Sequence, residues 1–531
     1  MKEAVNEMRM SNAAFTPRAF LPGAALLLCG LTGCMVGPKY HAPTTQAPPA
    51  YKEAPANAAP APAPPATPEA DPTLGGLGSW TVAQPQDTSL RGKWWEIYHD
   101  PELNALEEQV NINNQNIKQA FENFMAARAI VQQARSQLFP AAAVAPSWTR
   151  SRSSANISAP TARGAPIGTI STLIELPATI SWEPDLWGKI RNTVRQAQYS
   201  AQISAADLEN QRLSQQASLA IFYFQIRGQD ALQQILNSTV AAYEKSLELT
   251  RAQYETGIST QLAVVQAQNN LQTAQSQATN LGVVRAQYEH AMAVLIGKIA
   301  SDFSIPARSL LTTPPPIPVG LPSQLLERRP DIAAAERAMA VANAQIGIAR
   351  AAYFPDVVLS ATGGFESSTW KHLFDWPSRF WSIGPSVSET VFDAGLRRAT
   401  VNQFIATYNA NLAGYRQTVL VAFQQVEDAL AGLRILTQQI QQQHEAVESA
   451  RVALDLEMER YQAGLDPYLN VVIEQNTLLA AQQILAQIEI QRAVASVQLI
   501  EALGGGWDNS QLPTPQQVTA KPDKADTVLK Q

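Results

Sequence analysis

The sequence predicts an α+β membrane protein in which transmembrane strands run directly into very long helices. Three observations predict it. The core repeats itself once, two long stretches lack proline and carry coiled-coil spacing, and the segments between them alternate apolar and polar residues.

The chain has 531 residues, a net charge of −6 and two cysteines. It opens with an apolar run, Ala19–Gly30, that is shorter than the roughly 20 residues a spanning helix needs. Arg18 precedes it, as in a secretory signal. Leu31-Thr32-Gly33-Cys34 resembles the lipobox of bacterial lipoproteins, in which Cys34 receives a diacylglycerol and becomes the mature N-terminus. Cys29 leaves with the signal, so no disulfide is expected. Residues 42–78 are rich in Pro and Ala and read as an extended tether. The expected organisation is a signal peptide (1–33), a lipidated N-terminus and tether (34–90), two repeats (91–305 and 306–506) and a disordered tail (507–531).

The repeat is visible in three pairs. "ARSQLFPAAAV" (134–144) matches "ARAAYFPDVVL" (349–359), and "WGKIRNTVRQ" (187–196) matches "AGLRRATVNQ" (394–403). "YETGISTQLAVVQAQNNLQTAQ" (254–275) matches "YQAGLDPYLNVVIEQNTLLAAQ" (461–482). The spacing between copies changes only between the first and second pair, where strands and outer loops are expected.

No proline occurs between Pro184 and Pro306 or between Pro385 and Pro467. Gly188–Tyr254 therefore reads as one helix of roughly 67 residues, about 100 Å long. In the second copy Leu412, Tyr415, Val419, Ala422, Val426, Ala429, Leu433, Leu436 and Ile440 recur in steps of three and four. Val447, Ala450, Leu454 and Tyr461 continue the row. That is the period of a left-handed coiled coil.

Four segments read as strands: 141–152, 170–184, 355–366 and 380–392. In Ile170–Glu183 one face is Ile170, Thr172, Ile174, Leu176, Ala178, Ile180 and Trp182, and the other is more polar. An apolar and a polar face fit lipid outside and water inside a barrel. Trp148, Trp182, Trp187, Trp370, Trp376 and Trp381 suit an aromatic girdle. Four strands cannot close a barrel, and open edges are not tolerated in lipid, so the chain must oligomerise. Two copies give eight strands and a filled interior; three give twelve and a lumen, which favours a trimer.

The acidic balance leaves no nucleic-acid footprint. His41, His99, His290, His372 and His444 lack metal-ligand spacing. There is no nucleophile–base constellation, P-loop or Rossmann fingerprint, so neither an enzyme nor a cofactor is expected.

Taken in order, several motifs resemble the TolC-like outer-membrane efflux proteins, particularly the lipoprotein branch of OprM/NodT type. They are "CMVGPKYHAP" (34–43), "WWEIYHDPELNALEEQ" (94–109), "LFP" (138–140), "SWEPDLWGKIR" (181–191), "LIGK" (295–298), "LPSQLLERRPDIAAAE" (321–336), "YFPDV" (353–357) and "FDAGLRRATV" (392–401). The resemblance implies a homotrimer with a twelve-strand outer-membrane β-barrel continuous with a twelve-helix periplasmic tube. It implies a periplasmic adaptor protein and an inner-membrane pump of RND type as partners, with the channel a passive exit duct for small molecules. Metal-ion efflux or type I protein secretion would use the same channel. A non-conducting periplasmic scaffold is the reading of a different class, and the alternating strands argue against it.

Two sharp turns end the long helices, around Gly257-Ile258-Ser259 and Gly464-Leu465-Asp466, because Gly accepts the left-handed cap geometry. In the resembling family these are the periplasmic tips that dock the adaptor. The family's tube narrows near the second tip, often at an acidic residue; alignment from Gly464 puts Ile473 there, with Asn470 and Glu474 beside it. This departs from the family, since an apolar residue replaces an anionic ring. Asp185, Gly188 and Arg191, repeated as Asp393, Gly395 and Arg398, lie at strand-to-helix junctions and read as structural.

Overall fold

The computed structural model describes residues 35–43, 47–48, 50–53, 92–154, 170–309, 314–317, 322 and 325–520. Cys34, the signal, most of the tether and residues 521–531 lie outside them. Among the described residues a 3₁₀ turn (Trp94–Tyr98) precedes α1 (Pro101–Asn113) and α2 (Gln115–Ser136). Then come β1 (Ala141–Val144), β2 (Ser147–Arg152), β3 (Ile170–Trp182), α3 (Lys189–Glu255) and α4 (Gln261–Leu295). The second copy runs through α5 (Leu325–Arg328), α6 (Pro330–Ala351), β4 (Asp356–Ser367), β5 (Arg379–Ser388), α7 (Leu396–Gln462) and α8 (Tyr468–Ala502). The short α9 (Pro515–Thr519) is the last element among the described residues. The repeat is one of length as well as sequence: α3 and α7 each have 67 residues, α4 and α8 each 35. Among the described residues no helix is long and apolar enough to cross a membrane.

The chain divides into two compact units. The first holds the described residues of Met1–Tyr40, Ile130–Ala197 and Ala340–Tyr408; the second holds those of His41–Ala129, Gln198–Met339 and Asn409–Gln531.

The first unit is an all-antiparallel sheet ordered β1-β3-β4-β5, with β2 also on β3. The expected strand 141–152 is thus interrupted. β1 and β2 keep one register on β3 across the break, since Val144 faces Ala178 and Ser147 faces Glu175. Ala145 N–H still donates to Pro177 O (3.3 Å). Neither Pro146 nor Pro177 has an N–H to complete the ladder. Gly364 sits opposite Pro177, where an added Cβ would come within 2.2 Å of Leu176 O, so only glycine fits. The strand expected over 380–392 ends at Ser388.

The start of the tether is not free chain. Val36 N–H donates to Trp187 O (3.0 Å), and Asn192 Nδ2 donates to Val36 O (3.3 Å). Gly37, at φ +137°, lies so close to α6 that a Cβ would meet Gly347 Cα at 2.8 Å. In the second unit Lys52 and Glu53 donate their backbone N–H groups to the Glu427 carboxylate, and Glu53 pairs with Arg434 (2.7 Å). These specific bonds override the extended, solvated habit of a Pro/Ala-rich chain.

The core of the second unit explains the motif at 94–109. Trp94, Trp95 and Tyr98 are buried with Leu103, Leu106 and Val110 of α1 against Tyr223 and Phe224 of α3, Met292 of α4 and Val497 of α8. Trp94 Nε1 donates to Gln216 Oε1 (3.2 Å), and Tyr98 OH bonds Ser496 Oγ (2.8 Å). Asp100 caps α1 by accepting from the N–H groups of Glu102 and Leu103.

The expected disorder after Gly506 is corrected over 507–520. Trp507 and Leu512 bury against Ala205 and Ala333, and Val518 is buried too. A capping box between Thr514 and Gln517 starts α9. Three apolar anchors in a polar, proline-containing stretch are enough to fix it.

The seam of α7 follows the expected spacing, with Tyr415, Val419, Ala422, Val426, Val447, Ala450 and Tyr461 buried. Leu430 is buried where Ala429 was expected, because a helix of 3.6 residues per turn drifts past a strict heptad.

Candidate functional site: hairpin tips and sheet faces

Each long hairpin turns through five residues. At the first tip Gly257 takes φ +76°, its N–H donates to Tyr254 O (3.0 Å), and Ile258 N–H donates to Gln253 O (2.8 Å). At the second, Gly464 takes φ +74°, its N–H donates to Tyr461 O (3.0 Å), and Leu465 N–H donates to Arg460 O (3.0 Å). Both are Schellman motifs, which the left-handed residue makes possible. Thr260 caps α4, accepting from Ala263 N–H. Pro467 stands at the N-cap of α8.

Behind the tips one cluster draws on all four long helices: Leu247 of α3, Ala263 and Ala267 of α4, Tyr461 of α7, and Tyr468 and Val471 of α8. Tyr461 and Tyr468 lie 5.3 Å apart between ring centroids. Tyr468 OH bonds Ser246 Oγ (3.0 Å), and burial pushes this phenol's pKa up. The turns are therefore held by packing, while their outermost side chains stay free. Ile258 is 73 % exposed and Leu465 71 %, with Leu262 and Leu469 one turn into the next helix also exposed. Asp466 pairs with Arg460, whose hydrogen bond holds the carboxyl below its ordinary range.

On α8, Val471 and Gln475 are buried within the chain, whereas Ile473 is 52 % exposed and Asn470 and Glu474 are half-buried. The three expected gate residues thus flank the face turned away from the chain's own cluster. Leu469, one turn before Ile473 and equally exposed, was missed; its signal is the i, i+4 spacing.

The strand register separates two faces, because residues directly opposite in an antiparallel pair point the same way. One face carries Ile180, Ala361 and Ile383 in one row and Leu176, Phe365 and Arg379 in another. The other carries Glu175 opposite Glu366, and Ser360 opposite Gly384.

At the junctions Asp185 accepts from the N–H groups of Ile190 (3.1 Å) and Arg191 (2.8 Å) and pairs with Arg191 Nε (3.0 Å); Gly188 takes φ +81°. In the second copy Asp393 pairs with Arg397 Nε (2.7 Å), while Arg398, the counterpart of Arg191, is exposed. Asp393 precedes Gly395 by one residue less than Asp185 precedes Gly188, so the preceding arginine comes into reach. Trp182 and Trp187 are half-buried and donate to Leu138 O (3.0 Å) and Pro355 O (2.9 Å), with Trp187 stacked on Phe354.

This arrangement of two repeats matches a known pattern. The sequence profile described as Outer membrane efflux protein matches residues 106–298 and 321–505. The chain belongs to the outer membrane efflux protein family. Among curated relatives, it is 31% identical over 492 residues to the solvent efflux pump outer membrane protein SrpC of Pseudomonas putida, covering 92% of this chain and 99% of that one. It is 32% identical over 432 residues to the probable efflux pump outer membrane protein TtgC of Pseudomonas putida, covering 81% and 88%. Among solved structures, the outer-membrane channel OprN superposes with a TM-score of 0.77 at 28% identity, covering 89% of this chain and 100% of that one. As in that family, the chain is an outer-membrane protein of α+β architecture, and its sheet is the chain's share of a transmembrane β-barrel. The outer membrane efflux profile covers both long hairpins, so the tips and the sheet faces described above lie within or beside the matched segments.

Proposed function

We propose that three copies of this chain form an outer-membrane exit duct through which small molecules, delivered by a periplasmic adaptor and an inner-membrane pump of RND type, leave the cell. The observation that carries it is the two-faced sheet with open edges at β2 and β5, joined in sequence to paired 67-residue helices. Edges in lipid must pair, and copies of the chain supply the partner strands. The duct itself catalyses no reaction; gradients and energy come from the pump. Curated relatives are named for toluene, solvents and antibiotics, which supports apolar small molecules over metal ions or polypeptides as cargo.

The tips dock the adaptor. Ile258 and Leu465 occupy equivalent places in the two copies, as do Leu262 and Leu469, so the adaptor meets two similar exposed apolar pairs per chain. Asn470, Ile473 and Glu474 form the narrow part of the tube. Cys34 carries the lipid anchor: the next residue, Met35, packs on Gly188 at the β3–α3 junction, where a Cβ would come within 2.7 Å of it. This packing supports an anchor near the strand-to-helix junction, on the periplasmic side of the membrane.

The test is accumulation of a toluene-like solvent or a fluorescent efflux dye in cells. Deletion of the gene should raise accumulation, the wild-type gene should restore export, and Leu465→Arg should insert in the membrane without restoring it. Unchanged accumulation on deletion would refute the efflux reading.

A further inference from the structure

The faces of the sheet sort charge in a way the duct does not require. On the face carrying Ile180, Ala361 and Ile383, every charged residue among the described strand positions is an arginine: Arg150 and Arg152 on β2 and Arg379 on β5. The strand carboxylates, Glu175, Asp356 and Glu366, all lie on the opposite face. The arginines also share one end. The helices leave from the end marked by Trp182 and Ser388, and all three arginines lie toward the other, where β2 leads to β3 and β4 to β5.

Their order along the strands is that of a membrane boundary. Exposed Trp148 stands two residues before Arg150, and exposed Trp381 two residues after Arg379, on the same face. Two residues of strand rise about 7 Å, so each guanidinium is one step beyond an indole that favours the interface. Arg379 lies over the Trp376 ring, and Lys371 is exposed on the same loop. The loop's Asp375 is held by His372 (2.7 Å). β2 and β5 lie at opposite edges of the sheet, so closure by further copies brings the β2 edge of one against the β5 edge of the next.

We propose that this arginine cluster binds the phosphate groups of outer-leaflet lipid, with lipid A as the occupant. Guanidinium forks match phosphate oxygens in geometry and charge, and the cluster faces the one surrounding phase rich in them. The proposal rests on the barrel reading, which fixes this face as the lipid-facing one.

The test uses the full-length protein, purified as its trimer in mild detergent and titrated with diphosphoryl lipid A, its dephosphorylated form and inorganic phosphate, with bound species read by native mass spectrometry. Diphosphoryl lipid A should bind and persist under excess inorganic phosphate, and the dephosphorylated form should bind poorly. R150Q/R152Q/R379Q should bind about ten-fold more weakly, with the corresponding lysine variant in between. Equal binding by wild type and the glutamine variant overturns the proposal, as does displacement of lipid A by inorganic phosphate. Conductance in a planar bilayer separates the two readings. Wild-type pores from a variant that binds lipid A normally overturn the site alone; a wild type that never inserts overturns the barrel with it.

Discussion

Glu107 on α1 is fully buried, and neither of its carboxylate oxygens has a hydrogen-bond partner among the described residues. Burial alone pushes its pKa well above 4.5. A raised folded-state value gives stability that is complete below the unfolded pKa and is lost as pH rises through the folded one. Glu107→Gln, which cannot ionise, should therefore raise the Tm of the trimer by roughly 2–4 °C at pH 8, and by less at pH 5. Buried Asp230 is the opposite case, fully engaged: its oxygens meet Arg285 (2.7 Å), Arg227 (3.2 Å) and the N–H of Arg308 (2.9 Å). Arg227 in turn reaches Glu102 (2.5 Å) and Pro306 O (2.7 Å), tying the connection between repeats to α1 and α3. Asp230→Ala removes the carboxylate shared by the two arginines, leaving Arg227 with Glu102 and Arg285 with Glu289, and should cost about 1.5–3 kcal/mol in thermal unfolding. None of this was legible in the sequence, because both effects depend on which charges end up buried together. The Asp393–Arg397 pair was not legible either, because it depends on the exact turn count at the junction.

The long helices are the most legible elements. Absence of proline and glycine at each end place α3 within a residue of its observed bounds, and the second copy repeats its length in α7. Strand existence was legible from period two, but register was not, since alternation reads the same in any pairing. The break at Pro146 and the Glu175–Glu366 opposition emerge only once the strands pair. Tail order escaped because Trp507, Leu512 and Val518 are too widely spaced to form a periodic signal. Two glycines test what the helix ends need. At Gly464 a Cβ would enter open space, so Gly464→Ala costs only its left-handed backbone, about 1 kcal/mol. At Gly188 a Cβ would strike Met35 as well, so Gly188→Ala should be the more damaging. Amide hydrogen exchange should show loosening confined to the second tip in the first variant, and release of residues 35–38 in the second.

At the scale of the whole molecule, the charge on the polar face sets the character of the pore. Glu175 lies directly opposite Glu366, an unfavourable pairing within a sheet that makes sense where water fills the lumen and cations screen it. A ring of such pairs favours cations. Glu175→Gln/Glu366→Gln should shift the reversal potential in a salt gradient toward zero selectivity while leaving the pore open; an unchanged potential would place these carboxylates outside the ion path. The central claim is that copies of this chain close into a gated, water-filled duct. Single-channel conductance of the purified trimer in a planar bilayer, beside Ile473→Gly/Glu474→Gly, tests it most directly. Discrete steps, larger in the variant, are the predicted result. Silence from both, with intact trimers inserted in the bilayer, would contradict the duct and leave a scaffold in its place.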